Sequence, residues 1–288
     1  MNLHRCILGN NDCFKAGQLV VPQGVMIHST GANNPMLRRY VQPMVGCSDY
    51  NWLMELLGDN PNNNDWNQPR PGGNKVCVHG FIGKLADGSV ASVQTLPWDI
   101  VGWHSGYANA RSTTNANKLG YISFEICEDD LKDPAYFSEV YREAVELTAY
   151  LCRMYGFDPL GKNKYGYPYI TCHREGYDYG IAYCHADVLH WFPKFGKSMD
   201  DFRQDVKKEL EDEDMDVARF TELWREMRKG LQDNDSAEWS REAREWAVNN
   251  GLVQGGSADG FNGMWEDLLT REQMVVLMFR FAQKVGLV

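Results

Sequence analysis

Between Tyr169 and Phe192 the chain reads YITCHREGYDYGIAYCHADVLHWF. Three of its seven histidines lie here, His173, His185 and His190, with Cys172, Cys184 and Asp187 among them. Imidazole, thiolate and carboxylate are the groups that bind zinc, and a catalytic zinc site uses three of them and leaves a position for water. Further polar residues stand where strands should be apolar. His28 follows the apolar run GVMI, His79 lies within KVCVHGFIGKL, and Glu125 lies inside ISFEI. An ionised carboxylate inside a protein is costly unless it is paired or bound to metal. A buried strand glutamate together with several strand histidines therefore points to one convergent site. His28 and His173 can supply two zinc ligands. For the third, Cys184, His185, Asp187 and His190 all remain open. The spacing is not HExxH, so the two-histidine helix of the zincins is excluded.

These residues need elements to position them. GVMIHSTG (24–31) is a short apolar run ending in a turn, which reads as a buried strand. Residues 75–97 form two apolar runs around Asp87-Gly88, a pair suited to a tight hairpin turn. LGYISFEICEDD (119–130) is a further strand carrying Glu125, and YPYITCHREGY is a short strand ending near His173. Over 133–156, Val140, Ala144, Leu147, Leu151 and Met154 recur at helical spacing before Gly156, which predicts a helix. Residues 198–213 read as an amphipathic helix, and the breaker-rich stretch 58–74 as a surface loop that bounds the site. Trp52, Trp66, Trp98 and Trp103 are candidates for a sugar-stacking wall or for core.

The bulk numbers exclude some functions. The formal charge is −10, which disfavours nucleic-acid binding by phosphate neutralisation. No segment approaches the roughly 18 apolar residues of a membrane span, and the first 20 residues lack the pattern of a secretory signal. The expectation is synthesis in the cytoplasm, with the eight cysteines mostly buried and reduced. Cys6 and Cys13 are the pair close enough to join in an oxidising medium. The acidic KKELEDEDMD reads as a solvated boundary. It separates a first domain, 1–212, from a helical module, 213–288.

The motifs MIHSTG, VHGFIGKLADGSV, WHSG, YISFEIC and ITCHREG…HADVLHWF occur in an order that resembles the zinc-dependent N-acetylmuramoyl-L-alanine amidases. This type-2 amidase family includes phage lysozyme-type amidases and peptidoglycan-recognition proteins, and the likeness covers roughly residues 20–205. The resemblance implies an α/β (α+β) fold, with a mixed central β-sheet flanked by helices and zinc in a groove on one face. It implies His28 and His173 as the first two zinc ligands and Asp187 as the third. His185 would stand where the family has a catalytic lysine, and exchange of His185 and Asp187 is the alternative. The sequence departs from the family there, with Val188 in place of proline and a longer gap after His173. Glu125 matches the family's general base for the water that zinc activates. The resemblance also implies that His79 stands between pocket wall and core, that His104 in GWHSG lines the groove without being a ligand, and that His190 packs beside Trp191. The implied reaction is hydrolysis of the amide between N-acetylmuramic acid and L-alanine in peptidoglycan. The long final motif looks most like endolysins of phages and prophages, which act on the cell wall after release. A non-catalytic peptidoglycan receptor on the same fold is the alternative.

Residues 238–282 have their own signature. A helix with Ala243, Trp246 and Ala247 stops at Gly251, a loop of Gly, Ser, Asp and Asn follows, and Thr270 caps a second helix. The pattern resembles one S-layer-homology repeat, which implies binding to a cell-wall polymer. Such repeats come in several copies, so a single one implies a homo-oligomer or a module that only packs.

Overall fold

Glycine, proline and asparagine punctuate the first 130 residues into short apolar runs, and in the computed structural model these become the strands of one sheet. The structure describes residues 1–213, 217–232, 234–255 and 261–288. The chain divides into two compact units, Met1–Glu213 and Asp214–Val288.

The first unit holds six strands, β1 (Leu3–Arg5), β2 (Gly24–Ser29), β3 (Gly80–Lys84), β4 (Val90–Gln94), β5 (Tyr121–Ile126) and β6 (Ile170–Cys172). They pair in the order β1-β4-β3-β5-β2-β6. Only β3 and β4, the expected hairpin, run antiparallel; the other neighbours are parallel, so the sheet is mixed. Helices α1 (Asp12–Ala16), α2 (Tyr50–Leu57), α3 (Ala116–Leu119), α4 (Pro134–Tyr155), α5 (His173–Asp178) and α6 (Met199–Glu213) surround it. The short elements β1, α1, α2 and α3 are additions to the sequence reading. So is α5: His173 does not end a strand but opens a helix directly after β6.

α4 is the long helix the periodicity predicts. Asp133 caps it by accepting hydrogen bonds from the amides of Ala135 and Tyr136, and Gly156 ends it in the left-handed conformation. Met154, at the end of the expected apolar stripe, is exposed instead. Val140, Ala144, Leu147 and Leu151 pack with Val25, Ile27, Ile122, Phe124 and Ile126 in the main core. Since strand side chains alternate, Met26, His28, Ser123 and Glu125 face the other side of the sheet. That face is where the polar strand residues collect.

Cys13 and Cys77 form a disulfide, and the other six cysteines are free. This corrects two expectations, a fully reduced set and a Cys6–Cys13 pair. Proximity in sequence misled: α1 turns Cys13 toward the segment before β3, whereas Cys6 lies in a cluster with Leu8, Leu37 and Phe81.

The second unit contains α7 (Val217–Leu231), α8 (Arg241–Asn249) and α9 (Arg271–Lys284). Thr270 accepts from the Gln273 amide while the Gln273 side chain accepts from the Thr270 amide, a complete capping box. The end of the acidic run, 214–216, and most of the Gly-Ser-Asp loop, 256–260, lie outside the described residues. No described helix is long and apolar enough to cross a membrane.

Candidate metal centre

Three adjacent parallel strands deliver the site at their carboxyl ends, the usual location for ligands in such sheets. The β2–β5 register sets His28 beside Glu125. In β6 the last pair is Ile27↔Cys172, so His173 follows next to His28. The third group arrives on a 3₁₀ turn, Asp187–His190. Asp187 opens that turn at φ 41°, a left-handed conformation that aspartate tolerates better than most residues and that concentrates at functional sites.

The three groups converge. His28 Nδ1 lies 3.1 Å from His173 Nδ1 and 3.2 Å from Asp187 Oδ2, and His173 Nδ1 lies 2.8 Å from the same oxygen. All three residues are buried. Among the described residues this is the one histidine, cysteine and carboxylate group close enough to hold a metal ion. Burial drives the His28 ring toward its neutral form, against the pull of Asp187. Burial would push the Asp187 carboxyl up, but His173 and His28 together hold it well below the usual carboxylate range.

Whether these residues fit a metal is decided by their lone pairs. His104 Nε2 reaches the Tyr121 carbonyl at 3.2 Å, and His104 Nδ1 lies 2.9 Å from His28 Nε2. With His104 donating to that carbonyl, its Nδ1 can only accept, so His28 must donate from Nε2. That leaves His28 Nδ1 as a bare lone pair aimed at Asp187. His173 presents its Nδ1 to the same place. Two imidazole nitrogens and a carboxylate oxygen thus point at one spot. Ligand atoms at the usual zinc distances in a tetrahedron stand roughly 3.3 Å apart, close to the three separations here. The donor set fits zinc.

His104 is the residue whose role the sequence reading missed. It lines the groove, as expected of GWHSG, but its work is on His28. Burial pushes its pKa well down, and the neighbouring histidines add to that, so it stays a neutral relay. Asn117 fixes its backbone by accepting from the His104 and Ser105 amides. Gly102 makes room: a Cβ there would lie 2.9 Å from the His79 ring and 3.0 Å from the His104 ring. His79 itself is core, not pocket wall. It accepts from the Ser123 amide at 3.0 Å and reaches the Ile100 carbonyl at 2.8 Å, and burial lowers its pKa to about 4.

The donor set opens into a cavity of about 440 Å³. Glu125, His185 and Cys184 line it, with Thr30, Gly31 and Val78, and the Trp66 and Trp103 rings form part of the wall. Trp66 comes from the breaker-rich loop. Trp98 is core and stacks on His79, and Trp52 is half exposed beside His4. Burial raises the Glu125 pKa well above the ordinary value, reinforced by the Asp187 and Glu128 charges, and Glu125 Oε2 is buried without a partner. His185 is half exposed, its Nδ1 3.8 Å from Asp187 Oδ1. Cys184 is exposed and outside the converging set. His190 does not merely pack beside Trp191. It lines the cavity, and its Nε2 lies 2.9 Å from Glu128 Oε1.

No curated protein sequence matches the chain. Several solved structures are similar in part. The hydrolase AmiA of Staphylococcus aureus, in complex with its ligand, aligns over 73% of this chain and 83% of its own at 15% identity and a TM-score of 0.46. The PlyG catalytic domain aligns over 73% and 96% at 16% identity and 0.44, and the XlyA catalytic domain over 72% and 99% at 15% and 0.43. The family model for N-acetylmuramoyl-L-alanine amidase (Amidase_2) matches residues 18–187, which span every residue of the converging set and more than half of the chain. The chain belongs to the N-acetylmuramoyl-L-alanine amidase family.

Proposed function

We propose that the protein is a zinc-dependent peptidoglycan amidase that cleaves between N-acetylmuramic acid and the L-alanine of the stem peptide, and that it serves as a phage or prophage endolysin. The observation that carries the reading is the trio His28, His173 and Asp187 with Glu125 beside it in register. These three residues would hold zinc, which supplies a Lewis acid that acidifies water and polarises the scissile carbonyl. Glu125 then acts as general base. Its raised proton affinity suits a group that must take a proton from water at Oε2 and return it to the departing amine nitrogen. His185, half exposed in the cavity and adjacent to the Asp187 carboxylate, stabilises the oxyanion that develops on the carbonyl oxygen. Trp66 and Trp103 offer aromatic faces for the glycan.

The non-catalytic receptor is the weaker reading, since such receptors typically lack the third ligand and Asp187 would supply it in this one. In this reading residues 1–212 are the catalytic domain, and the helical module 213–288 holds the enzyme at the wall through a wall polymer or by assembling copies. The test is mass spectrometry of fragments from purified peptidoglycan. New L-alanine amino termini without new reducing sugar ends are expected; new reducing ends alone would sink the amidase reading.

A further inference from the structure

The motif WHSG holds His28 through His104, and its last two residues hold a second part of the site. Ser105 is fully buried, and its amide donates to Asn117 Oδ1 at 3.1 Å. Its carbonyl accepts from the Tyr183 amide at 3.0 Å. Gly106 follows at φ 59°, in the left-handed region that favours glycine. A Cβ on Gly106 would lie 2.6 Å from Tyr183 Cδ1, a separation that real side chains do not show. Backbone and ring together therefore require glycine here, and Ser105 and Gly106 form a seat for Tyr183.

Tyr183 lines the cavity with 42% of its surface exposed. Its ring neighbours are histidines of the site. The Tyr183 and His173 centroids lie 5.0 Å apart at 82°, and those of Tyr183 and His185 lie 4.6 Å apart at 56°. Both separations fall in the range of about 4.5–7 Å in which aromatic rings attract.

His185 needs such support. In the proposed reaction it meets the developing oxyanion, and an oxyanion donor is effective when it is held in place beforehand. Yet its side chain is 51% exposed, and Asp187 Oδ1, 3.8 Å from its Nδ1, is beyond hydrogen-bonding distance. The ring rests on aromatic neighbours instead. It stacks on His173 at 5.1 Å and 29°, and it packs against Tyr183. His173 belongs to the metal centre, so Tyr183 is the support that a substitution can remove without touching a ligand.

We propose that Tyr183 is a positioning residue for amide hydrolysis, its ring holding His185 at the reacting carbonyl and itself seated by Gly106. The inference rests on the amidase reading, in which His185 meets the oxyanion. The experiment uses the full-length zinc-loaded protein and its Tyr183→Phe, Tyr183→Leu, Gly106→Ala and His185→Ala variants, with the double variant Tyr183→Leu/His185→Ala. KM and kcat are measured on a soluble muramyl-peptide, and zinc content, thermal midpoint and the NMR resonances of the His185 ring are recorded for each protein. Tyr183→Leu is expected to lower kcat about 10- to 100-fold, as misplacement of a catalytic group does, with KM within about threefold and zinc content unchanged. Tyr183→Phe keeps the ring and should rescue kcat to within about threefold of the wild type. The His185 resonances should move in Tyr183→Leu, which removes a neighbouring ring, and stay near their wild-type positions in Tyr183→Phe. Gly106→Ala crowds the Tyr183 ring and should lower kcat in the same direction. Adding Tyr183→Leu to His185→Ala should cost nothing further, because one residue acts through the other. Unchanged kcat or unmoved His185 resonances in a folded, zinc-loaded Tyr183→Leu overturn the proposal. So does a loss in Tyr183→Phe as large as in Tyr183→Leu, which would make the hydroxyl the active group. A loss confined to KM, a loss of zinc, or additive losses in the double variant overturn it as well. Should Tyr183→Leu fail to fold, Gly106→Ala decides, a fall in kcat supporting the proposal and an unchanged kcat overturning it. A wild-type protein that does not cleave the peptide would defeat the amidase reading, and the His185 resonances would still test whether Tyr183 holds the ring.

Discussion

At the scale of single residues, chemistry here is a matter of which lone pair is free. Glu125 has no buried partner for Oε2 and a raised proton affinity. Glu125→Gln is expected to lower the rate of amide hydrolysis by about 10²- to 10⁴-fold while the zinc content of the purified protein stays the same; retained activity would remove Glu125 from the mechanism. His104 acts one step back from the metal. His104→Ala frees His28 to protonate Nδ1 instead of Nε2, and zinc affinity measured by competition with a chelator is expected to fall about 10- to 100-fold. His28, His173 and Glu125 were legible as polar residues in apolar runs, because burying such groups is costly without a purpose. The role of His104 was not, because a hydrogen bond between histidines 76 residues apart leaves no local trace.

At the scale of elements, parallel strands do the gathering. β2, β5 and β6 end at one edge, and a single 3₁₀ turn brings the remaining groups. The hairpin β3–β4 supports this layer through His79, which bridges to the Ser123 amide of β5 and to the Ile100 carbonyl. Its pKa is lowered to about 4 by burial, against an unfolded value of about 6.5. The unfolded chain therefore binds more protons between these values. The stability that neutral His79 contributes is present above pH 6.5 and is lost as pH falls toward 4, by about 3 kcal/mol at most. Urea unfolding at pH 7 and pH 4.5 is expected to show a smaller loss in His79→Gln than in the wild type. The Cys13–Cys77 bond closes a 64-residue separation ahead of the same hairpin. In the chain-entropy description such a closure is worth up to about 4 kcal/mol. Reduction should lower the denaturation midpoint, Cys13→Ser should remove that sensitivity, and Cys6→Ser should leave it unchanged.

At the scale of the whole molecule the two units differ in kind. The first has a core on both faces of its sheet. In the second, Leu252 is the one hydrophobic side chain buried among the described residues, while Trp224, Trp239, Trp246, Met278 and Phe279 are exposed. A unit of this size has little core to spare and often gains stability by association. The full chain is accordingly expected to sediment as an oligomer, and residues 1–213 as a monomer that still cleaves soluble muropeptides. A monomeric full chain would leave wall binding alone as the module's role. By itself the sequence determined the strand runs and hairpin, the long helix α4, the change of texture near residue 212 and the candidate donors, because periodicity, breakers and misplaced polar residues are local signals; the mixed sheet followed from the family resemblance. Only the tertiary structure decided which donors meet. Of Cys184, His185, Asp187 and His190, it is Asp187 that converges on His28 and His173, through strand register and its own left-handed backbone. The same holds for Cys13 and Cys77, which are distant in sequence and bonded in space. Contacts between distant segments depend on how elements pack, and spacing along the chain carries no record of that.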